Sequence, residues 1–315
     1  MKKYLVGHNL IENDVIAGHL CFQTIQSAIN HAKGKTQIYL LPGYYYEKLV
    51  INKPNITLVG SPNHSSIIYY DVSHGDIIRE VDGGDGIKLY GTTGSASVTL
   101  LEEAINFRCE KIVFKNTFKR EVNGSKTQAV ALKTSANNGY YYDCKFISYQ
   151  DTLYVDKGFN VFEKCFITGD VDFIFGAGQG LFLDCELELI DHGSDFTGYI
   201  TAPSTLANKD YGFIFYNCFS NYNGKSTYYL GRPWHPSGCK EEMISKVLFL
   251  ECNFSKVSKY TIMHNDKPED NMMYFQDIRI NKRRYSNISQ IEAKHYLKLA
   301  LNDLKIARIP VKRSF

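Results

Sequence analysis

The sequence predicts an all-β fold, a single-stranded parallel β-helix built as a solenoid, and three observations carry that expectation. The segments YYYDCKFI (140–147), VFEKCFI (161–167), LFLDCEL (181–187), FIFYNCF (213–219) and LFLECNF (248–254) share one pattern: apolar residues, a polar residue, a cysteine and another apolar residue. IVFKNTF (112–118) reads as an earlier copy with Asn116 in the cysteine position, so most coils run 20 to 28 residues and two carry insertions of about a dozen. The repeats are rich in β-forming residues and show no helical period, and self-similarity at such a spacing is the signature of a β-solenoid.

Taken in chain order, CFQTIQSAINHA (21–32) places Phe22, Ile25, Ala28, Ile29 and Ala32 on one helical face and predicts a cap at the first end of the stack. IYLLPGYYYEKLVI (38–51) reads as a strand, a Pro-Gly turn and another strand. The coils follow, and SQIEAKHYLKLALNDL (289–304), with Leu297, Ala300, Leu301 and Leu304 on one face, predicts a helix capping the other end. With no linker and no low-complexity stretch, residues 1–315 read as a single domain.

Composition sets bounds on function. The formal net charge of +3 suits an acidic polymer but is too small to imply one, and Lys282-Arg283-Arg284 reads as a solvated loop, so nucleic acid is not an expected partner. Tyr4-Leu5-Val6 is too short for a signal-peptide core, and no apolar run approaches the 18 or so residues of a membrane span. Five of the eight cysteines occupy the repeat position, which favours an inward ladder of small apolar thiols. A bridge between adjacent rungs is sterically allowed, with Cys144 and Cys165 the best pair. No CxxC and no Cys/His cluster has zinc spacing, so no metal and no cofactor is expected.

The coil length gives one set of polar residues its meaning. Gln128 and Gln150 are 22 residues apart, and Asp151 and Asp172 are 21 apart. Residues one coil apart become neighbours about 4.8 Å apart in the hydrogen-bonding direction. Two amides and two carboxylates are therefore expected to converge on one patch of the solenoid.

Five separated motifs, GYYYEKL (43–49), QAVAL (128–132), YQDTLY (149–154), VDFIFG (171–176) and GRPW (231–234), occur in an order and spacing that resembles the pectinesterases, or pectin methylesterases, over roughly residues 20–255. The resemblance implies a right-handed parallel β-helix that removes the C6 methyl ester from galacturonate units of pectin, with methyl-esterified homogalacturonan as its partner. It implies a secreted or extracellular protein; a monomer is expected. It also implies the roles of individual residues. Asp172 matches the nucleophile, with Arg232 holding it ionised and oriented, and Asp151 matches the general acid that later becomes the base. Gln128 and Gln150 supply amide donors to the oxyanion. The residue chemistry supports that division: an arginine beside Asp172 lowers its pKa, whereas the like charge raises that of Asp151.

For substrate binding, Trp234, the only tryptophan, is expected to stack on a sugar ring beside Arg232. Phe175 and Gln128 are expected to line the same groove, and Thr92 of TTGSAS (92–97) matches a substrate-contacting threonine of the family. After GRPW the chain departs from the family's pattern, with YTIMHNDKPED (260–270) and FQDIRINKRRYSN (275–287) in place of its Trp- and Gly-rich segments. A polygalacturonase would carry Asn-Thr-Asp, Gly-His-Gly and Arg-Ile-Lys signatures, which are absent; a pectate lyase would need calcium-ligating acids. An inactive carbohydrate-binding β-helix is the reading from another class, and Asp151, Asp172 and Arg232 argue against it.

Overall fold

Adjacent coils of the chain pair strictly in parallel through the central stack, so that Tyr141, Phe162, Phe182, Phe215 and Phe249 fall in register on successive strands. The computed structural model describes residues 1–78, 88–120, 127–236, 239–258 and 271–313. Each complete coil contributes one strand to each of three sheets, of 13, 10 and 8 strands, which wrap a common interior as a parallel β-helix. We call them the first, second and third sheets. Their inward side chains form one continuous apolar core, and the five aromatic rings above stack face to face within it, with centroids 4.3–4.8 Å apart. That separation is the strand spacing itself, so backbone pairing and ring stacking reinforce one another.

The corner between the first and second sheets explains the polar-cysteine signature. Lys111, Asp143, Lys164, Asp184, Asn217, Glu251 and Asp277 all turn this corner in the left-handed conformation, with φ between 48° and 58°. The residue that follows each one points inward. At four of these corners the thiol reaches the carbonyl of the aromatic residue one coil below: Cys165 to Tyr141 at 3.4 Å, Cys185 to Phe162 at 3.3 Å, and Cys218 to Phe182 and Cys252 to Phe215 at 3.5 Å each. Cysteine is small enough for the corner and still offers a weak donor.

Several expectations need correction. Asn116 does not occupy the cysteine position: Val113 pairs with Lys145, so Ile112 stands where Cys144 does, and Asn116 lies four residues further on. There its side-chain amide donates to the carbonyls of Val72, Ser95 and Val130. Cys144 and Cys165 are not bridged; all eight cysteines are free thiols, seven of them buried, and the Cys144 sulfur lies 3.6 Å from that of Cys109.

The first helix spans Ile25–His31, with Cys21 and Phe22 ending the strand His19–Phe22 instead. Thr24 caps it by accepting from the Ser27 N–H, and Ile25, Ala28 and Ile29 enter the interior core as expected of an end cap. Residues 38–51 form parts of three strands rather than two, Thr36–Leu40, Gly43–Tyr46 and Leu49–Ile51, one for each sheet. The long helix, Gln290–Ile306, starts where Ser289 accepts from the Glu292 N–H. It does not close the end of the stack. Ala293, Ala300 and Leu304 lie against Val161, Leu181, Ile214 and Leu248 on the outer face of the first sheet, because that face carries an apolar row that water would otherwise meet. Of the divergent segments, 260–270 lies outside the described residues, whereas Ile278–Ile280 and Arg283–Tyr285 form an antiparallel pair ending the second sheet.

Candidate active site

The third sheet brings the proposed residues together from four coils. Its strands Leu132–Thr134, Leu153–Val155, Ile174–Gly176 and Thr197–Pro203 are neighbours in that order, so the motifs QAVAL, YQDTLY and VDFIFG lie one above another. Gln128 and Gln150 pair directly across adjacent coils as an isolated parallel bridge. One coil further, the Asp151 N–H donates to the Val171 carbonyl at 3.1 Å, which sets Asp151 beside the residue preceding Asp172.

Both aspartates occupy the left-handed region, with φ of 65° at Asp151 and 50° at Asp172. Asp adopts this conformation more readily than most residues, and the corners of the coils use it too; here it turns the chain so that both carboxylates leave the same edge of the third sheet. Asp172 is 7 % exposed and is held by Arg232 through two parallel bonds, Nε to Oδ1 at 2.8 Å and Nη2 to Oδ2 at 2.5 Å. Arg232 directly follows the strand Thr227–Gly231, where Thr201 pairs with Gly231, and its guanidinium lies 4.4 Å over the ring of Tyr199. The fork geometry fixes both carboxylate oxygens, which a lysine could not do.

Burial pushes the carboxyl pKa of both residues up. For Asp151 the charge of Asp172 adds to desolvation, and the carboxyl sits well above the ordinary range. For Asp172 the hydrogen bonds and charge of Arg232 oppose desolvation, leaving a net rise. The expected lowering at Asp172 is thus overturned by burial, but the difference in environment between the two carboxyls runs in the expected sense: only Asp172 has a guanidinium bonded to it.

The flanking residues are sorted by exposure. Trp234 is half-buried, with its ring edge-on to Phe175 at 5.4 Å and to Tyr154 at 6.4 Å. Phe175, expected to line the groove, is only 2 % exposed; it is stacked on Tyr154 at 4.3 Å, so it supports Trp234 instead of presenting a face of its own. Thr92 is half-buried in the short helix Gly91–Ser95, and Ser95 of that turn accepts from the Val130 N–H of the QAVAL segment. The GYYYEKL motif is structural. Glu47 accepts from the Ile25 and Gln26 N–H groups at the first helix, and Lys48 donates to the Gly94 and Ala96 carbonyls, tying down the Thr92 segment.

Sequence reasoning missed Tyr154 and Tyr199, both outward residues of third-sheet strands, and a buried polar group formed by Arg120, Asp170 and His192. Strand alternation could have flagged the tyrosines once the sheet was known. Among the described residues no group of three or more His, Cys, Asp or Glu is placed to hold a metal ion, and no helix is long and apolar enough to cross a membrane.

Comparison with known proteins gives the family. The pectinesterase family model matches residues 15–261. The chain is 36 % identical over 239 residues to pectinesterase A of Dickeya chrysanthemi and 35 % identical over 224 residues to probable pectinesterase 50 of Arabidopsis thaliana, covering 69 % and 68 % of this chain. It spans 63 % and 57 % of the length of those two relatives. Among solved structures, the pectin methylesterase PemA from Erwinia chrysanthemi superposes with a TM-score of 0.79 at 28 % identity, covering 94 % of this chain and 95 % of that one. A pectin methylesterase in complex with a hexasaccharide superposes with a TM-score of 0.78 at 26 % identity, covering 100 % of this chain and 99 % of that one. With the family model matched from residue 15 through the arginine motif, this chain belongs to the pectinesterase family.

Proposed function

We propose that this protein hydrolyses the C6 methyl ester of galacturonate units in pectin, releasing methanol. The observation that carries the reading is the pair of buried aspartates one coil apart, of which only Asp172 is clamped by an arginine. Asp172, kept ionised by Arg232, attacks the ester carbonyl carbon. The resulting oxyanion is met by the amide N–H groups of Gln128 and Gln150. Collapse breaks the bond to the methoxy oxygen, Asp151 gives that oxygen its proton, and methanol leaves behind an acyl anhydride on Asp172. Asp151, now ionised, takes a proton from water; the hydroxide adds to the galacturonoyl carbonyl and frees Asp172 and the product carboxylate. A raised pKa suits the residue that must be protonated first and a base second.

Trp234, carried on Phe175 and Tyr154, stacks on a sugar ring, and Thr92 and Gln128 border the same groove. The protein acts as a monomeric single catalytic unit on methyl-esterified homogalacturonan, outside the cell where such polymers lie, without a cofactor. One assay tests the reaction: methanol released from esterified pectin, measured beside reducing ends and unsaturated product. Methanol alone supports de-esterification; reducing ends or unsaturated uronates without methanol would replace it with chain cleavage.

A further inference from the structure

Asp170 lies two residues before the proposed nucleophile, is fully buried, and is engaged at nearly every polar atom. One carboxylate oxygen accepts the Val171 N–H at 2.6 Å and pairs with Arg120 Nη1 at 2.5 Å. The other lies 2.9 Å from His192 Nε2. Its own N–H donates to the Tyr149 carbonyl, and its carbonyl accepts the Tyr199 N–H, each at 3.1 Å. The ring of Phe196 covers the cluster, 4.4 Å from the His192 ring and 5.5 Å from the Arg120 guanidinium. An ionic group buried this completely is costly unless its partners are in place.

Two routes lead from Asp170 to Asp172. The first is covalent: by accepting the Val171 N–H, the carboxylate fixes the 170–171 peptide, one before the peptide that enters the left-handed Asp172, so the approach to that turn is held by a charge-assisted bond. The second passes through space: the Asp170 carbonyl holds Tyr199, the Tyr199 ring supports Arg232, and Arg232 grips both oxygens of Asp172. We propose that Asp170, locked between Arg120 and His192, is the positioning residue that holds the Arg232–Asp172 pair in its reactive geometry.

The proposal rests on the de-esterification reading for its kinetic test, so a second readout is needed that survives if that reading fails. The carboxyl of Asp170 is faced by Arg120, His192, Tyr228, Asp151 and Asp172, and its charge is among the influences that raise the carboxyls of both Asp151 and Asp172. Asp170→Asn keeps the shape and removes that charge. It should lower kcat by about tenfold or more with KM within about twofold, the pattern of a misplaced reactive group. A crystal structure of the variant should show at least one of the two Arg232–Asp172 bonds opened beyond hydrogen-bond distance. A folded Asp170→Asn protein with parental kcat, or with both Arg232–Asp172 bonds retained, overturns the proposal. A variant that loses thermal stability alone also overturns it, since that is what a merely structural cluster would do. If Asp170→Asn does not fold, His192→Ala takes over the test, because that side chain lies at the rim of the cluster, 13 % exposed. A loss in kcat of about threefold or more at unchanged KM supports the positioning role. Parental kcat overturns it. If the parent releases no methanol, the proposed function fails while the crystal structure of the variant still decides whether Asp170 positions Asp172.

Discussion

Arg232 binds Asp172 through two different nitrogens to two different oxygens, across 60 residues of chain and two steps of the third sheet. A single hydrogen bond would leave the carboxylate free to rotate about its last bond. The fork removes that freedom and presents the remaining lone pairs in one direction. Arg232→Lys keeps the charge and loses the fork, so kcat should fall by about 10²-fold while the fold is retained, with methanol release as the measure. A lysine variant with near-parental kcat would mean that charge alone matters.

Asp172→Asn and Asp172→Ala should abolish methanol release with circular dichroism matching the parent. Substantial turnover in either folded variant would remove Asp172 as the nucleophile.

The raised pKa of Asp151 makes a prediction about stability as well as rate. A carboxyl whose pKa is higher in the folded than in the unfolded chain binds its proton more readily when folded. Relative to low pH, stability is therefore lost as pH rises through the ordinary carboxylate range, near 3.9 for Asp, toward the folded value. Asp151→Asn removes this penalty, so it should be inactive but melt about 2–5 °C higher than the parent at pH 7. The gain should shrink toward zero as the pH falls below the ordinary range. An equal gain at every pH would show that relief of the buried charge is not its source.

Gln128→Ala and Gln150→Ala should each lower kcat by about 10²-fold or more with a smaller change in KM, the usual loss for one oxyanion donor. A change confined to KM would assign these amides to ground-state binding.

Trp234 reports on the groove without interference, since the chain has no other tryptophan. Demethylated oligogalacturonate should perturb its fluorescence, Trp234→Phe should keep part of the activity, and Trp234→Ala should weaken binding by about 1–3 kcal/mol. Emission that does not respond to saturating ligand would move the sugar site elsewhere.

The cysteine ladder gives a chemical check on the fold. Of eight thiols only Cys239 is exposed, so one should react rapidly with a thiol reagent in the native protein and all eight after denaturation. A denatured, unreduced sample showing only six reactive thiols would indicate a bridge, with Cys144 and Cys165 the pair to examine first.

What the sequence determined by itself was whatever repeats along the chain. The polar-cysteine signature is visible because every coil must turn the same corner, and the spacings 128 to 150 and 151 to 172 place amides and aspartates together once a coil length is known. Its errors arose where the repeat is imperfect. Asn116 resembled the cysteine position by composition, and only the pairing of Val113 with Lys145 showed that Ile112 holds it. The amphipathic face of 289–304 was legible, but a helix face does not say which surface it covers; that depended on the outer row of Val161, Leu181, Ile214 and Leu248 needing cover. The third sheet alone decided the electrostatics of the site. Burial at Asp172 outweighs the guanidinium beside it, and Phe175 lies beneath Trp234 rather than in the groove. The cluster of Arg120, Asp170 and His192 draws on three segments with no common spacing, and desolvation is a property of everything packed around a group. Neither can be read from intervals along the chain.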